Sequence, residues 1–133
     1  RLVAVNKLCP AQADIFPPCA IGGILNAETI PLLQVGIVAG GANNQLANPE
    51  DGQALHERGI LYAPDFIANG GGIINVATEI LKIADREAYV AKKLAALEAT
   101  MAEVLNQARQ QDISPDAVAI ATVRAKMAQA AAA

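Results

Sequence analysis

VGIVAGGANNQLANPEDGQALHERGILYAPD, Val35 to Asp65, is the stretch whose reading decides the fold. It opens on an apolar run, Val35-Gly36-Ile37-Val38-Ala39, that stops at Gly40-Gly41 and gives way to Ala42 and the paired amides Asn43 and Asn44. Helix signals follow. Asn48 stands at a capping position, Pro49 at the first helical position, and Glu50 and Asp51 put negative charge in the first turn. Arg58 closes the last turn and Gly59 ends it. A second apolar run, Ile60 to Ala63, then meets Pro64. Apolar strand, capped helix and apolar strand in succession predict a parallel α/β sheet.

The same pattern extends upstream. Leu2–Val5 and Asp14–Ala20 are further short apolar segments read as strands. Ile21 to Leu25 is expected to start a helix, and Asn26 to cap a segment over Ala27–Leu33 that Pro31 limits to a turn or two. Downstream of Gly72 the apolar period becomes helical. Ile73, Ile74, Val76, Ala77, Ile80, Leu81 and Ile83 form one segment. A longer helix begins near Asp85, with Leu94, Leu97, Met101, Val104, Leu105 and Ala108 as its apolar stripe. Ser114, Pro115 and Asp116 open a last helix carrying Val118, Ala121, Val123 and Met127.

Composition fits this reading. Of 133 residues, 53% are hydrophobic but only 3% aromatic, with no Trp. The core is therefore aliphatic, as buried parallel strands require. The net charge is −3 and no basic cluster interrupts the chain, so no nucleic-acid partner is expected. No apolar run reaches the roughly 18 residues of a membrane span, and no leader is visible. Cys9 and Cys19 make no disulfide framework and are expected to be buried or half-buried thiols of a cytoplasmic protein. The chain opens on Arg1 and an apolar strand, which reads as the C-terminal piece of something longer.

Ligands of open parallel sheets bind beyond the carboxyl ends of the strands. Three segments lie there: Pro18-Cys19-Ala20, Gly40 to Asn44, and Pro64 to Gly72. All are small, polar and glycine-rich, which lets a ligand approach the backbone and meet uncharged donors and acceptors. Each also reads as plain structure. Gly40-Gly41 suits a turn, Asn43 and Asn44 tolerate left-handed φ, and Gly70 to Gly72 suits a linker. Their common position at strand ends favours a site. His56, the single histidine, sits in a helix and is neither a metal site nor part of a Ser-His-Asp set. Asp65 lies at a strand end but shows no partner for work as a base. G-x-G-x-x-G after a strand and G-x-x-x-x-G-K-[ST] are both absent.

Three motifs in order, DIFPPCAIGG, VAGGANNQL and LYAPDFIANGGGIINV, resemble the glutamate, leucine, phenylalanine and valine dehydrogenase family, and most of all its branched-chain and aromatic members. The likeness runs from Asp14 to the last helix. It implies the second half of a Rossmann-type parallel sheet over residues 1–74, with C-terminal helices over 75–133 closing back toward an absent substrate domain. It also implies NAD-dependent oxidative deamination of an apolar L-amino acid, with NADP not excluded. Carried over, Cys19 and Ala20 match the strand end beside the nicotinamide ribose, and Gly41, Ala42 and Asn43 the segment along the cofactor. Asn44 matches the amide that holds the nicotinamide end or the substrate. Asn69, with Gly70 to Gly72, matches the hinge toward the substrate domain, and Ile73 and Val76 the substrate side-chain pocket. The family's catalytic lysines and acid, its G-x-G-x-x-G loop and its ribose-binding acid lie upstream of the matched region, and Gly70 stands where alanine is more usual. A chain without them is expected to be inactive alone, and to work as a homo-oligomer or with the missing N-terminal part. The alternative is a non-catalytic half-domain whose apolar helices serve assembly.

Overall fold

The computed structural model describes residue 4 and residues 7–131. Three two-residue strands, β1 (Ile15–Phe16), β2 (Ile37–Val38) and β3 (Leu61–Tyr62), form a parallel sheet in the order β1-β2-β3. Ile37 pairs with Ile15 and Leu61, and Val38 with Phe16 and Tyr62. Lone parallel bridges, Gln12 to Gln34 and Leu25 to Leu46, extend the pairing. The strand expected over Leu2–Val5 lies, Ala4 apart, outside the described residues.

Helix α1 (Glu50–Glu57) connects β2 to β3 as expected, but Pro49, not Asn48, stands at its N-cap, and no side chain makes the capping bond there. The Asp51 carboxylate reaches back and accepts from the Asn48 backbone N–H at 2.7 Å. Gly59 ends the turn at φ +69°. Between β1 and β2 the expectation is corrected in part. Ile21 to Leu25 forms no helix: Gly23 N–H donates to Asn44 O at 2.8 Å and Leu25 N–H to Gln45 O at 3.0 Å. Tertiary pairing with the strand-end loop thus takes the donors a helix would have used. Asn26 does cap, its Oδ1 accepting from Glu28 and Thr29 N–H at 3.0 Å each, and Pro31 holds the segment to one 3-10 turn, Ile30–Leu32. The Arg58 guanidinium satisfies that turn's last carbonyls, donating to Ile30 O and, at 2.9 Å, to Leu33 O.

Four helices follow β3: α2 (Asp65–Ala68), α3 (Gly71–Ile80), α4 (Arg86–Gln111) and α5 (Pro115–Ala131). Asp85 caps α4, accepting from Ala88 N–H at 3.0 Å. The chain turns at Asp112 in left-handed conformation, and its carboxylate meets His56 Nε2 at 3.1 Å. That places the lone histidine in a half-exposed contact between α1 and the α4–α5 turn.

One apolar cluster, Leu25, Ile30, Leu33, Val38, Leu55, Ile60 and Tyr62, lies around the sheet and α1. A second joins Ile67 of α2 to Val104 and Ala108 of α4 and Val118 and Ala119 of α5. The stripe read along α4 is this contact, with Leu97 and Met101 at its margin and Leu94 left exposed. α5 buries only its first turns; Val123 and Met127 face solvent. Both cysteines are free, Cys9 half-buried and, against expectation, Cys19 exposed at the end of the β1 segment. Among the described residues no helix is long and apolar enough to cross a membrane.

Candidate functional site

The loops after β2 and β3 meet α3 around a cleft of about 700 Å³ lined by Gly41, Asn43, Asn44, Asp65, Phe66, Asn69, Gly70, Gly72 and Ile73. It sits at the carboxyl ends of the strands, where parallel sheets place ligands. Two of the three strand-end segments line it, and the third stands behind. Cys19 Sγ accepts from Gly41 N–H at 3.3 Å and Pro18 O from Ala42 N–H at 2.9 Å, so the β1 end holds the start of the β2 loop. Gly40 makes this approach possible, because a Cβ there would stand 2.1 Å from Pro18 O.

Among the expected cofactor residues, Gly41, Asn43 and Asn44 line the cleft. Ala42 is buried, with both backbone polar groups bonded inside the protein, so it shapes the loop from beneath. Cys19 and Ala20 are exposed beside the loop and do not line the cleft. Among the expected substrate residues, Asn44, Asn69 and Ile73 line it, whereas Val76 lies one turn along α3 from Ile73, half exposed. Asn69 Nδ2 donates to Asn43 Oδ1, joining the β2 and β3 loops across the cleft. Asn44 adopts φ +51°, the left-handed conformation that asparagine tolerates better than other side chains. Gly70 packs under α4, where a Cβ would come within 3.2 Å of Leu97 Cδ2.

Two further residues support the cleft, Gln45 from beneath and Asp65 in its wall. Gln45 is fully buried, and its Nε2 donates to Gly40 O at 2.8 Å and Ala42 O at 2.9 Å. Asp65, which showed no partner in sequence, has several. Its Oδ2 accepts from Gln45 N–H at 3.2 Å, its Oδ1 from Phe66 N–H at 2.9 Å, and its own N–H lies 3.4 Å from the Tyr62 hydroxyl. Burial, and then the Asp65 charge, push the Tyr62 phenol well above its usual range, so it stays neutral at working pH. The only sequence signal for this pair is a polar residue at each of two strand ends.

The cleft walls are thus amides, glycine backbone, one carboxylate, one phenyl ring and one isoleucine, with no cationic side chain among the described residues. Neutral donors and acceptors suit a carboxamide or a ribose, and the Phe66 and Ile73 side suits an apolar group. Among the described residues no His, Cys, Asp and Glu cluster could hold a metal ion.

Comparison with known proteins agrees with this geometry. Residues 2–133 match the family model of the Glutamate/Leucine/Phenylalanine/Valine dehydrogenases. A leucine dehydrogenase of Geobacillus stearothermophilus is 50% identical over 80 residues, 60% of this chain and 22% of that protein. A valine dehydrogenase of Streptomyces albus is 44% identical over 117 residues, 88% of this chain and 32% of that protein. The crystal structure of L-tryptophan dehydrogenase from Nostoc punctiforme superposes with a TM-score of 0.82 at 37% identity, covering 92% of this chain and 37% of that one. The chain therefore spans between about a fifth and two fifths of the relatives it matches. Motifs, strand-end cleft and these likenesses agree, and the chain belongs to the Glutamate/Leucine/Phenylalanine/Valine dehydrogenase family.

Proposed function

We propose that these residues form the nicotinamide half of the cofactor site, and one wall of the substrate pocket, in an enzyme that oxidatively deaminates an apolar L-amino acid. The observation that carries this reading is the cleft that gathers Gly41, Asn43, Asn44, Asn69 and Ile73 at the strand ends. Residues 1–74 act as the second half of the nucleotide-binding domain and 75–133 as helices leading back to the substrate domain. NAD, when bound, supplies the hydride acceptor. Gly41 backbone and the Asn43 and Asn44 amides hold its nicotinamide end, with Cys19 and Ala20 beside the ribose and Ala42 shaping the loop. NADP fits this reading equally, because the acid that the family resemblance places at the adenosine ribose lies upstream of the matched region.

Asn69, Asn44, Ile73 and Val76 meet the amino acid. Among the described residues no cation lines the cleft, and Asp65 is already there, so a glutamate side chain finds no counter-charge from them. Proton-transfer groups come from the N-terminal part of the enzyme, and these residues alone do not turn over. Association with that part, or between copies, has an apolar groove available on α2 and α4, about 410 Å³ between Ile67, Leu94, Leu97 and Met101. Two free thiols fit a cytoplasmic setting.

The test is NAD reduction by the full-length enzyme with leucine, valine, phenylalanine, tryptophan and glutamate. Turnover on the apolar amino acids is expected. Turnover on glutamate alone, or on none of the five, overturns the reading.

A further inference from the structure

We propose that Gln45 is a positioning residue for hydride transfer: its buried side-chain amide sets the orientation of the loop that carries Asn43 and Asn44. The proposal rests on the function given above. Gln45 is 0% exposed, yet its Nε2 is spent on Gly40 O and Ala42 O, two carbonyls of its own loop. Its backbone is fixed from two sides, N–H to Asp65 Oδ2 at 3.2 Å and O from Leu25 N–H at 3.0 Å. The residue is thus a stationary post around which residues 40–44 are wrapped.

Peptide planarity links this post to the cleft. The Ala42 carbonyl and the Asn43 N–H share one plane and point in opposite directions. Drawing Ala42 O inward to Gln45 Nε2 therefore turns the Asn43 N–H away from the buried side and fixes the start of the Asn43 side chain. The same holds one step earlier, where drawing in Gly40 O turns the Gly41 N–H toward Cys19 Sγ. Asn44 is caught between the two anchors, its carbonyl accepting from Gly23 N–H at 2.8 Å. An apolar side chain of the same length would fill the space but leave Gly40 O without a side-chain donor and Ala42 O with only the long 3.5 Å contact from Asn69 Nδ2. These would turn toward water and take the Asn43 peptide with them.

Gln45 is also imperfectly satisfied, since its Oε1 is buried without a hydrogen-bond partner. An amide kept at such a position is explained by its two donors.

The test uses the full-length enzyme with NAD and the best apolar amino acid, protiated and deuterated at Cα. Gln45→Met keeps length and volume and removes both donors. The expected result is a folded enzyme whose kcat falls at least tenfold and whose primary isotope effect on kcat rises, because hydride transfer becomes slower than product release. Loss of activity only in proportion to the folded fraction, with an unchanged isotope effect, overturns the proposal, and so does wild-type kcat. Gln45→Glu covers the case in which the methionine variant fails to fold. A carboxylate has no donor, but a carboxylic acid has one, so activity relative to wild type is expected to rise as pH falls. A flat ratio overturns the proposal. A wild-type enzyme that reduces NAD or NADP with no amino acid overturns instead the functional reading beneath it.

Discussion

The Asp116 carboxylate of α5 lies directly over Gly52 of α1, so close that a Cβ at residue 52 would stand 2.1 Å from Oδ1. Glycine inside a helix is ordinarily a weakness, and alanine would gain roughly 1 kcal/mol in propensity. Here contact decides the sign. Overpacking a rigid interface costs about 1–3 kcal/mol, and the displaced group is a carboxylate only 4% exposed. Gly52→Ala is expected to lower the unfolding free energy by about 1–2 kcal/mol, read from a urea melt. An unchanged or higher midpoint would refute the contact.

Asp116 itself sets a pH dependence. Burial raises its carboxyl above the usual aspartate value, with the Ser114 hydrogen bond opposing, and Oδ1 has no partner. A carboxyl whose folded-state pKa is raised destabilises the fold when ionised. The penalty is full above the raised pKa and is relieved as pH falls toward the unfolded value near ~3.9. Asp116→Asn is expected to be more stable than wild type at pH 7, with the gap closing between pH 7 and pH 4. A gap that widens on acidification would contradict the burial.

Arg58 ties the end of α1 to the 3-10 turn through Ile30 O and Leu33 O. Arg58→Met retains the aliphatic stem and removes the donors. With charged donors to two carbonyls lost, a destabilisation of about 2 kcal/mol is expected. Arg58→Lys should recover only part, because one ammonium cannot reproduce the planar fork. Full recovery by lysine would show that charge alone suffices.

Local chemistry was legible in the sequence, and distant partnership was not. The strands around Ile37 and Leu61, α1 to within a residue of its start, and the start of α4 near Asp85 follow from apolar period and turn residues, all within a few positions of each other. The stretch Ile21 to Leu25 looks helical in sequence but is not, because its backbone donors go to Asn44 and Gln45, about twenty residues away. Asp116 reads as a residue complementing the helix dipole, and only the fold brings it over Gly52. Strand-end position drew attention to Asn43, Asn44 and Asn69, and these do meet in one cleft. Gln45 stood beside them unremarked, because an amide's role depends on burial, which one sequence does not display.

Asn44 allows backbone and side chain to be separated. At φ +51°, glycine fits as well as asparagine, whereas alanine pays the left-handed penalty of roughly 1 kcal/mol. Asn44→Gly is expected to melt near wild type and Asn44→Ala lower. In the full-length enzyme both should lose kcat by on the order of 10- to 100-fold, since both lack the amide. Near-normal turnover in Asn44→Gly would remove the side chain from the site and leave only its backbone.

Ile73 and Val76 are both proposed to meet the substrate side chain, and they differ in their place relative to the cleft. Ile73 lines the cleft with Asn69 and Gly72, while Val76 stands one turn further along α3. Both are exposed here, Ile73 at 75% and Val76 at 53%, so neither substitution should disturb the core. Their effects should appear in selectivity. Ile73→Phe is expected to change the kcat/KM ratio of valine to phenylalanine about tenfold or more in favour of valine, because a pocket narrowed by a ring rejects the larger side chain. Val76→Phe should shift it in the same direction but less. Parallel kinetics on both amino acids decide the matter, and equal or reversed effects would place the substrate further along α3 than the cleft suggests.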